Sequence, residues 1–381
     1  MEKSFNFIGS GKLLFGRGKF SEISTLTELS NCLLLCGHSF LKTHQYKIMD
    51  NLVKFQFIIS GEPDPESVDR ITSEVKNKIT AVIAIGGGSV LDAGKAVAAM
   101  CCAEGSVEDY LEGVGTLVAT GKTLPVIAVP TTAGTGSEAT KNAVICRRGK
   151  SGYKKSLRHD NYIPPFIIMD PELYINCPPP IMSSCGMDAF CQLLESYIST
   201  KATDFTDLLA WNGLTIFIEY FLNLCKGISK NTETMGKIAF AAYLSGITLA
   251  NAGLGTVHGI AGPMGGFFDI PHGTACGTLL PEVLKKTIDR LYSENPGEHL
   301  NKLNKLGTYI INHHKTKAQK KPAYAVYDLI NKWLVELEIP GLSQFGITES
   351  DGEKIALASG NKNNPIQFST EEIREIINRS L

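Results

Sequence analysis

Four stretches of this chain carry residues whose types and spacing could do chemistry. Gly86-Gly87-Gly88-Ser89, followed by Asp92 and Lys95, runs from an apolar, strand-like segment into a helix-like one. Glycine there lets a backbone approach an anion with no side chain in the way, and the free N–H groups of a helix N-terminus attract phosphate. The spacing is not G-x-G-x-x-G, so this is no ordinary dinucleotide fingerprint, and a turn that only closes a βα unit reads the same way. A second loop, Pro130-Thr131-Thr132-Ala133-Gly134-Thr135-Gly136-Ser137-Glu138, follows another apolar run. Its hydroxyls can line a cofactor groove and donate several hydrogen bonds.

Asp188-x3-Gln192 and His258-x13-His272 supply the other donors. Asp188 and Gln192 share one face of a helix, and both histidines follow glycine- or proline-containing turns. A carboxylate, an amide oxygen and two imidazoles make a mixed N/O set suited to Fe(II) or Zn(II). Singly, each also has a structural explanation, a core histidine or an aspartate that caps a helix. Together, a phosphate cradle and a metal imply a nucleotide cofactor held against a polarised substrate.

The elements that must position these groups divide the chain. In the first half, Asn31 to Cys36, Phe55 to Ile59, Ala81 to Ile85, Pro125 to Val129 and Phe166 to Met169 read as buried strands. Helix-like segments, Ser67 to Ile79 and Val90 to Cys102, lie between them. Such alternation predicts a parallel sheet wrapped by helices, with both loops at its carboxyl edge, where cofactors bind. After Pro178-Pro179-Pro180 the pattern is helical, most clearly over Met187 to Ser199, Phe205 to Leu224 and Met235 to Ala250. The expected domains are residues 1–179, α/β and dinucleotide-binding, and 180–381, all-α and holding metal and substrate. His313 and His314 sit in a polar stretch read as an exposed helix connection.

Composition narrows the partners. Lys+Arg 37 against Asp+Glu 38 gives a net charge of -1 with no basic tract, which argues against nucleic acid or an anionic membrane. Met1-Glu2-Lys3-Ser4-Phe5-Asn6-Phe7 lacks an apolar signal core, and no apolar stretch reads as long enough to span a bilayer, so a cytoplasmic protein is expected. The ten cysteines include no C-x-x-C pair and mostly sit in apolar runs, which predicts reduced, buried thiols.

At these residues the chain resembles the iron-containing (group III) alcohol dehydrogenases, within the dehydroquinate synthase-like superfamily. The likeness runs from Phe15-Gly16-Arg17-Gly18 through both glycine-bearing loops, Asp170-Pro171-Glu172-Leu173, Gly186-Met187-Asp188-Ala189, Asn251-Ala252-Gly253-Leu254-Gly255 and Ile270-Pro271-His272-Gly273 to Asn364-Pro365. It implies a dinucleotide-binding domain, a helical domain and an active site in the cleft between them. It also implies a metal held by an Asp, a His four residues on, and two more His. Asp188, His258 and His272 match those positions, as catalytic residues and metal ligands, while Gln192 replaces the second ligand. Gly262 stands where many members carry another histidine.

The chemistry so implied is hydride transfer between a nicotinamide and a small alcohol, aldehyde or ketone, with the metal as Lewis acid. Gly86, Gly87, Gly88, Ser89 and Asp92 would surround the pyrophosphate, and Thr131, Thr132, Thr135 and Ser137 would flank the rest of the cofactor. Lys155 stands where members use a lysine near the cofactor. Gly37-His38-Ser39, after the strand ending at Cys36, contains no carboxylate to repel a 2′-phosphate, so NADP is expected ahead of NAD. A homodimer is also implied. The competing readings are a metal-free carbonyl reductase, a dehydroquinate synthase-like lyase that restores its cofactor each turnover, and a non-catalytic nucleotide binder.

Overall fold

A computed structural model of the chain describes residues 5–149, 151–294, 297–317 and 319–381, so the opening Met1–Ser4 lies outside the described residues. Eight strands precede residue 170: β1 (Lys12–Phe15), β2 (Cys32–Cys36), β3 (Phe55–Ile58), β4 (Ala81–Gly86), β5 (Val126–Pro130), β6 (Asn142–Arg147), β7 (Tyr153–Arg158) and β8 (Phe166–Met169). Six form one parallel sheet in the order β1-β8-β5-β4-β2-β3. Its helices include α1 (His44–Asp50), α2 (Pro65–Val75) and α3 (Gly88–Met100). Strands β2, β4 and β5 are buried along their whole length, which is why each reads as a continuous apolar run.

Chain direction along the sheet reverses between β2 and β4. That places the carboxyl ends of these strands, Gly37 and Gly86, at a topological switch point, the usual crevice for a ligand in open α/β sheets. Gly37 N–H donates to Ile85 O at 3.2 Å and Thr131 N–H to Gly86 O at 3.0 Å, so three strand-end loops share one edge.

β6 and β7, absent from the sequence reading, form a separate antiparallel hairpin. They escaped it because their half-exposed faces carry Asn, Arg, Lys and Ser in place of an apolar run. The hairpin crosses to the helical half of the molecule: the backbones of Gly152 and Gly266 pack so closely that a Cβ on either would collide with the other segment.

Beyond the sheet come only helices: α4 (Pro171–Tyr174), α5 (Pro179–Tyr197), α6 (Asp204–Cys225), α7 (Thr232–Ala252), α8 (Thr256–Phe267), α9 (His272–Ser293), α10 (Glu298–His313), α11 (Tyr324–Glu336), α12 (Glu349–Ala358) and α13 (Thr370–Arg379). α5 starts on the proline run, Pro179 filling the first helical position where a missing N–H costs nothing. An aromatic cluster anchors it. Phe190 meets the Trp333 ring edge-on at 4.8 Å, and Phe221 of α6 meets the same ring at 5.1 Å. Such pairs add about 0.5–1.5 kcal/mol each beyond burial and hold the helix that carries Asp188.

One sequence expectation needs correction here. α6 is long and apolar enough to cross a membrane by length and composition. It instead packs between α5 and α7, burying Ala210, Leu214, Phe217 and Phe221. A core helix surrounded by other helices has the same composition as a span. His313 and His314 are exposed at the end of α10, as expected.

Candidate active site

Helix α5 brings Asp188, Gln192 and Glu195 to one face at i, i+4 and i+7. Asp188 is 1% exposed and faces His258 of α8, whose Nε2 lies 3.1 Å from Asp188 Oδ1. His272, the first residue of α9, brings its Nε2 within 4.0 Å of the same oxygen. The fourth member is one the sequence reading passed over. Cys276, one turn after His272, places Sγ 3.6 Å from His258 Nε2 and 3.8 Å from His272 Nε2. The ligand atoms of Asp188, His258, His272 and Cys276 all lie within 4.8 Å of one another. Metal–N and metal–O bonds of about 2.0–2.2 Å and a metal–S bond of about 2.3 Å put tetrahedral donors roughly 3.3–3.6 Å apart. The donor set therefore fits a divalent cation.

Glu195 supports this cluster from behind. Its Oε1 accepts the Val257 N–H at 2.7 Å, capping the start of α8, and its Oε2 lies 2.6 Å from His258 Nδ1. A carboxylate on Nδ1 leaves Nε2 facing the cluster, the usual arrangement behind a metal-binding imidazole. Gly255 makes room for it, since a Cβ there would stand 2.9 Å from Glu195 Oε1. Burial works against a charge on His258, yet the neighbouring Cys276, Glu195 and Asp188 hold its pKa well above the ordinary imidazole value. Glu195→Gln is expected to weaken metal affinity about 10- to 100-fold, as loss of such supporting partners does. Titration with a competing chelator measures it, and an unchanged affinity would remove Glu195 from this role.

Gln192 lies on the same face, but its carboxamide is engaged elsewhere. Oε1 accepts from Ser245 Oγ of α7 at 2.7 Å, and Nε2 donates to Thr135 O at 3.4 Å. The expectation that its oxygen turns toward the metal is therefore corrected in favour of this inter-helix contact.

Two cavities, of ≈ 500 and ≈ 840 Å³, meet at the cluster. Both are lined by Gly88, Ser89, Thr135, Asp188 and His272. Gly88 must be glycine, because a Cβ there would stand 2.5 Å from Thr135 Oγ1; one on Gly87 would stand 3.1 Å from Thr132 Oγ1. The two loops thus close on each other, leaving the first-turn N–H groups of α3 as an anion cradle beside the cluster. Gly86 and Thr131 lie behind it in the strand ends and line neither cavity, as do Gly37 and Ser39.

Two of the sequence assignments change. Lys95, grouped with the cradle, is fully buried and donates to the carbonyls of Ser137 (2.9 Å) and Asn142 while pairing with Asp92 at 3.0 Å. Asp92 Oδ1 also accepts from Ser137 Oγ at 2.5 Å. Asp92, Lys95 and Ser137 therefore tie the second loop to α3, and this ammonium is not free for phosphate. Lys155 is exposed beside Gly113, and Lys154 lines the smaller cavity. Side chains alternate along a strand, so a one-residue offset exchanges the inward lysine for its outward neighbour. Lys154 pairs with Glu62. Burial alone would raise the Glu62 pKa, but this ammonium holds the carboxyl below its usual range.

The smaller cavity also includes Asn142, Val144, Gly262, Lys362 and Asn363. A Cβ on Gly262 would meet nothing within 4 Å, so the missing side chain leaves open space.

A parallel-sheet domain with an anion cradle at its switch point, set against helices bearing a metal cluster, defines a nucleotide- and metal-dependent enzyme. Residues 10–171 match the family model of iron-containing alcohol dehydrogenases, and residues 182–381 match that of the Fe-containing alcohol dehydrogenase C-terminal region. The chain belongs to the iron-containing alcohol dehydrogenase family. It is 31% identical over 343 residues to the 1,3-propanediol dehydrogenase of Citrobacter freundii, covering 89% of this chain and 85% of that one. It is 30% identical to the NAD-dependent methanol dehydrogenase of Bacillus methanolicus, covering 99% and 100%. Among solved structures, the sulfoacetaldehyde reductase of Bifidobacterium kashiwanohense in complex with NAD+ superposes with a TM-score of 0.85 at 26% identity, covering 98% of each chain. The protein is an oxidoreductase that uses a nicotinamide cofactor and a divalent metal.

Proposed function

We propose that the protein interconverts a small alcohol and its aldehyde or ketone where the two cavities meet. The observation that carries this reading is the convergence there of Gly88 and Ser89 with Asp188 and His272. When bound, the dinucleotide supplies or accepts the hydride and the divalent ion polarises the substrate oxygen. Asp188, His258 and His272 hold that ion. The amides of Gly87, Gly88 and Ser89 hold the pyrophosphate, with Thr132 and Thr135 along its flank. Lys154, in place of Lys155, reaches the reacting end of the cofactor, and its pairing with Glu62 fixes its position. The space at Gly262 admits a bulkier or more polar substrate than a histidine there would allow.

NADP is proposed ahead of NAD. Gly37, His38 and Ser39 follow β2 at the switch point without a carboxylate, and His38 Nε2 lies 2.8 Å from Ser60 Oγ. Ser39→Asp is expected to lower kcat/KM for NADPH at least about tenfold relative to NADH, a difference of about 1.4 kcal/mol. An unchanged ratio of the two would place the 2′-phosphate elsewhere. A cytoplasmic homodimer joined through the α/β domain completes the proposal, and light scattering reads the association directly.

The test is oxidation of NADPH and NADH with a panel of short aldehydes and ketones, before and after chelation and with metal restored. Turnover that disappears on chelation and returns with metal is expected. Turnover indifferent to chelation would leave a metal-free reductase. Tight cofactor binding with no net oxidation would favour the lyase or the non-catalytic reading.

A further inference from the structure

We propose that Cys276 is the fourth protein ligand of the metal, in the role vacated by Gln192, and that this makes the centre a zinc site despite the family's association with iron. The inference rests on the proposed location of the metal, but not on which substrate is turned over.

Geometry is the first support. Cys276 is 0% exposed and sits one helical turn from His272, which aims Sγ along the same face of α9 toward His258. Its separations from the two imidazoles, 3.6 and 3.8 Å, are close to those expected between a thiolate and an imidazole on one tetrahedral ion, roughly 3.5 Å. The Asp188–His258 separation of 3.1 Å and the Asp188–His272 separation of 4.0 Å complete a four-cornered cage about one point.

The second support is the competitor's position. Gln192 has its oxygen at 2.7 Å from Ser245 and its nitrogen near the Thr135 carbonyl. To bind an ion it would break a bond between α5 and α7 and leave the Ser245 hydroxyl, itself buried, to find another partner. Cys276 gives up no comparable bond.

Donor chemistry then selects the ion. One carboxylate, two imidazoles and one thiolate form an O, N, N, S set in tetrahedral array, which suits Zn(II). Zn(II) also binds a given N/O/S site more tightly than Fe(II), and a soft thiolate widens that gap. Binding releases the Cys276 proton to solvent, leaving the sulfur anionic on the ion.

The experiment loads metal-free protein with one equivalent of Co(II) as a spectroscopic substitute for Zn(II). Wild type is expected to show a near-ultraviolet sulfur-to-cobalt charge-transfer band. Cys276→Ser should lose it, and Gln192→Ala should keep it. Zinc X-ray absorption on the wild-type protein gives the same answer without any variant, and one sulfur scatterer at about 2.3 Å is expected. Under anaerobic competition, zinc should displace iron from wild type by at least a hundredfold in affinity, a margin that narrows in Cys276→Ser. A bound ion with no sulfur scatterer, or a charge-transfer band that survives Cys276→Ser, would overturn the proposal, as would preferential retention of iron. These readouts are separate from turnover: the sulfur signal without NADPH oxidation upholds Cys276 while sinking the hydride-transfer reading, and oxidation without the signal does the reverse.

Discussion

Asp188→Asn is expected to lower kcat by about three orders of magnitude, which is several kcal/mol of transition-state stabilisation. Asp188 is the one carboxylate in the four-residue cluster, and it is within 3.1 Å of His258 and 4.0 Å of His272. Asparagine keeps its shape and volume, so the packing of α5 should survive. What disappears is the negative charge that offsets a divalent ion at a position only 1% exposed, where water cannot replace it. Metal content should fall with kcat, and excess metal should restore only part of the rate. Elemental analysis alongside steady-state kinetics separates the two. A loss smaller than tenfold, with full metal occupancy, would mean that this carboxylate does not govern the ion.

Lys95→Met should destabilise the fold by about 3–5 kcal/mol, the cost of removing one member of a buried ion pair. For a chain of this size that corresponds to a fall in Tm of roughly 10 °C. Lys95 donates to the carbonyls of Ser137 and Asn142, and its ammonium offsets Asp92. Burial pulls its pKa down, while Asp92 and Glu138 oppose that shift. Without the ammonium, Asp92 retains Ser137 as a partner but loses its counter-charge. The loop that carries Thr132 and Thr135 also loses its tie to α3, so nucleotide affinity should fall together with stability. The double variant Asp92→Asn/Lys95→Met should recover part of the lost Tm, because it no longer leaves a lone charge. A double variant no more stable than Lys95→Met alone would show that the carbonyl contacts, not the ion pair, dominate. Thermal denaturation followed by circular dichroism reads all of these.

What the sequence could and could not convey follows from burial. β2, β4 and β5 are covered on both faces, so their apolar runs and the glycine loops behind them were legible. The β6–β7 hairpin was not. Tyr153-Lys154-Lys155-Ser156 offers no apolar alternation, and without a strand there was nothing to say which of two adjacent lysines points inward. In the site, Asp188, His258 and His272 stood out because such residues are costly inside a helical bundle unless they have partners. Cys276 did not stand out, since a thiol within an apolar helix reads as core. His272-x3-Cys276 was the signal that could have found it, two donors one turn apart. Glu195 likewise passed as an ordinary helix carboxylate, and only its 3% exposure and its bonds to α8 reveal the difference.

The close packing of Gly152 against Gly266 has a mechanical consequence. It fastens the β7 side, with Lys154, to α8, which carries His258 and Gly262, through backbone that cannot compress. These two sides of the smaller cavity therefore travel as one body. Any closing stroke that follows cofactor entry is left to the strand-end loops around Gly88 and Thr135, moving against a fixed jaw. The spacing that fits the substrate is then the same before the stroke and after it, and the cycle's slow motions belong to the cofactor's side.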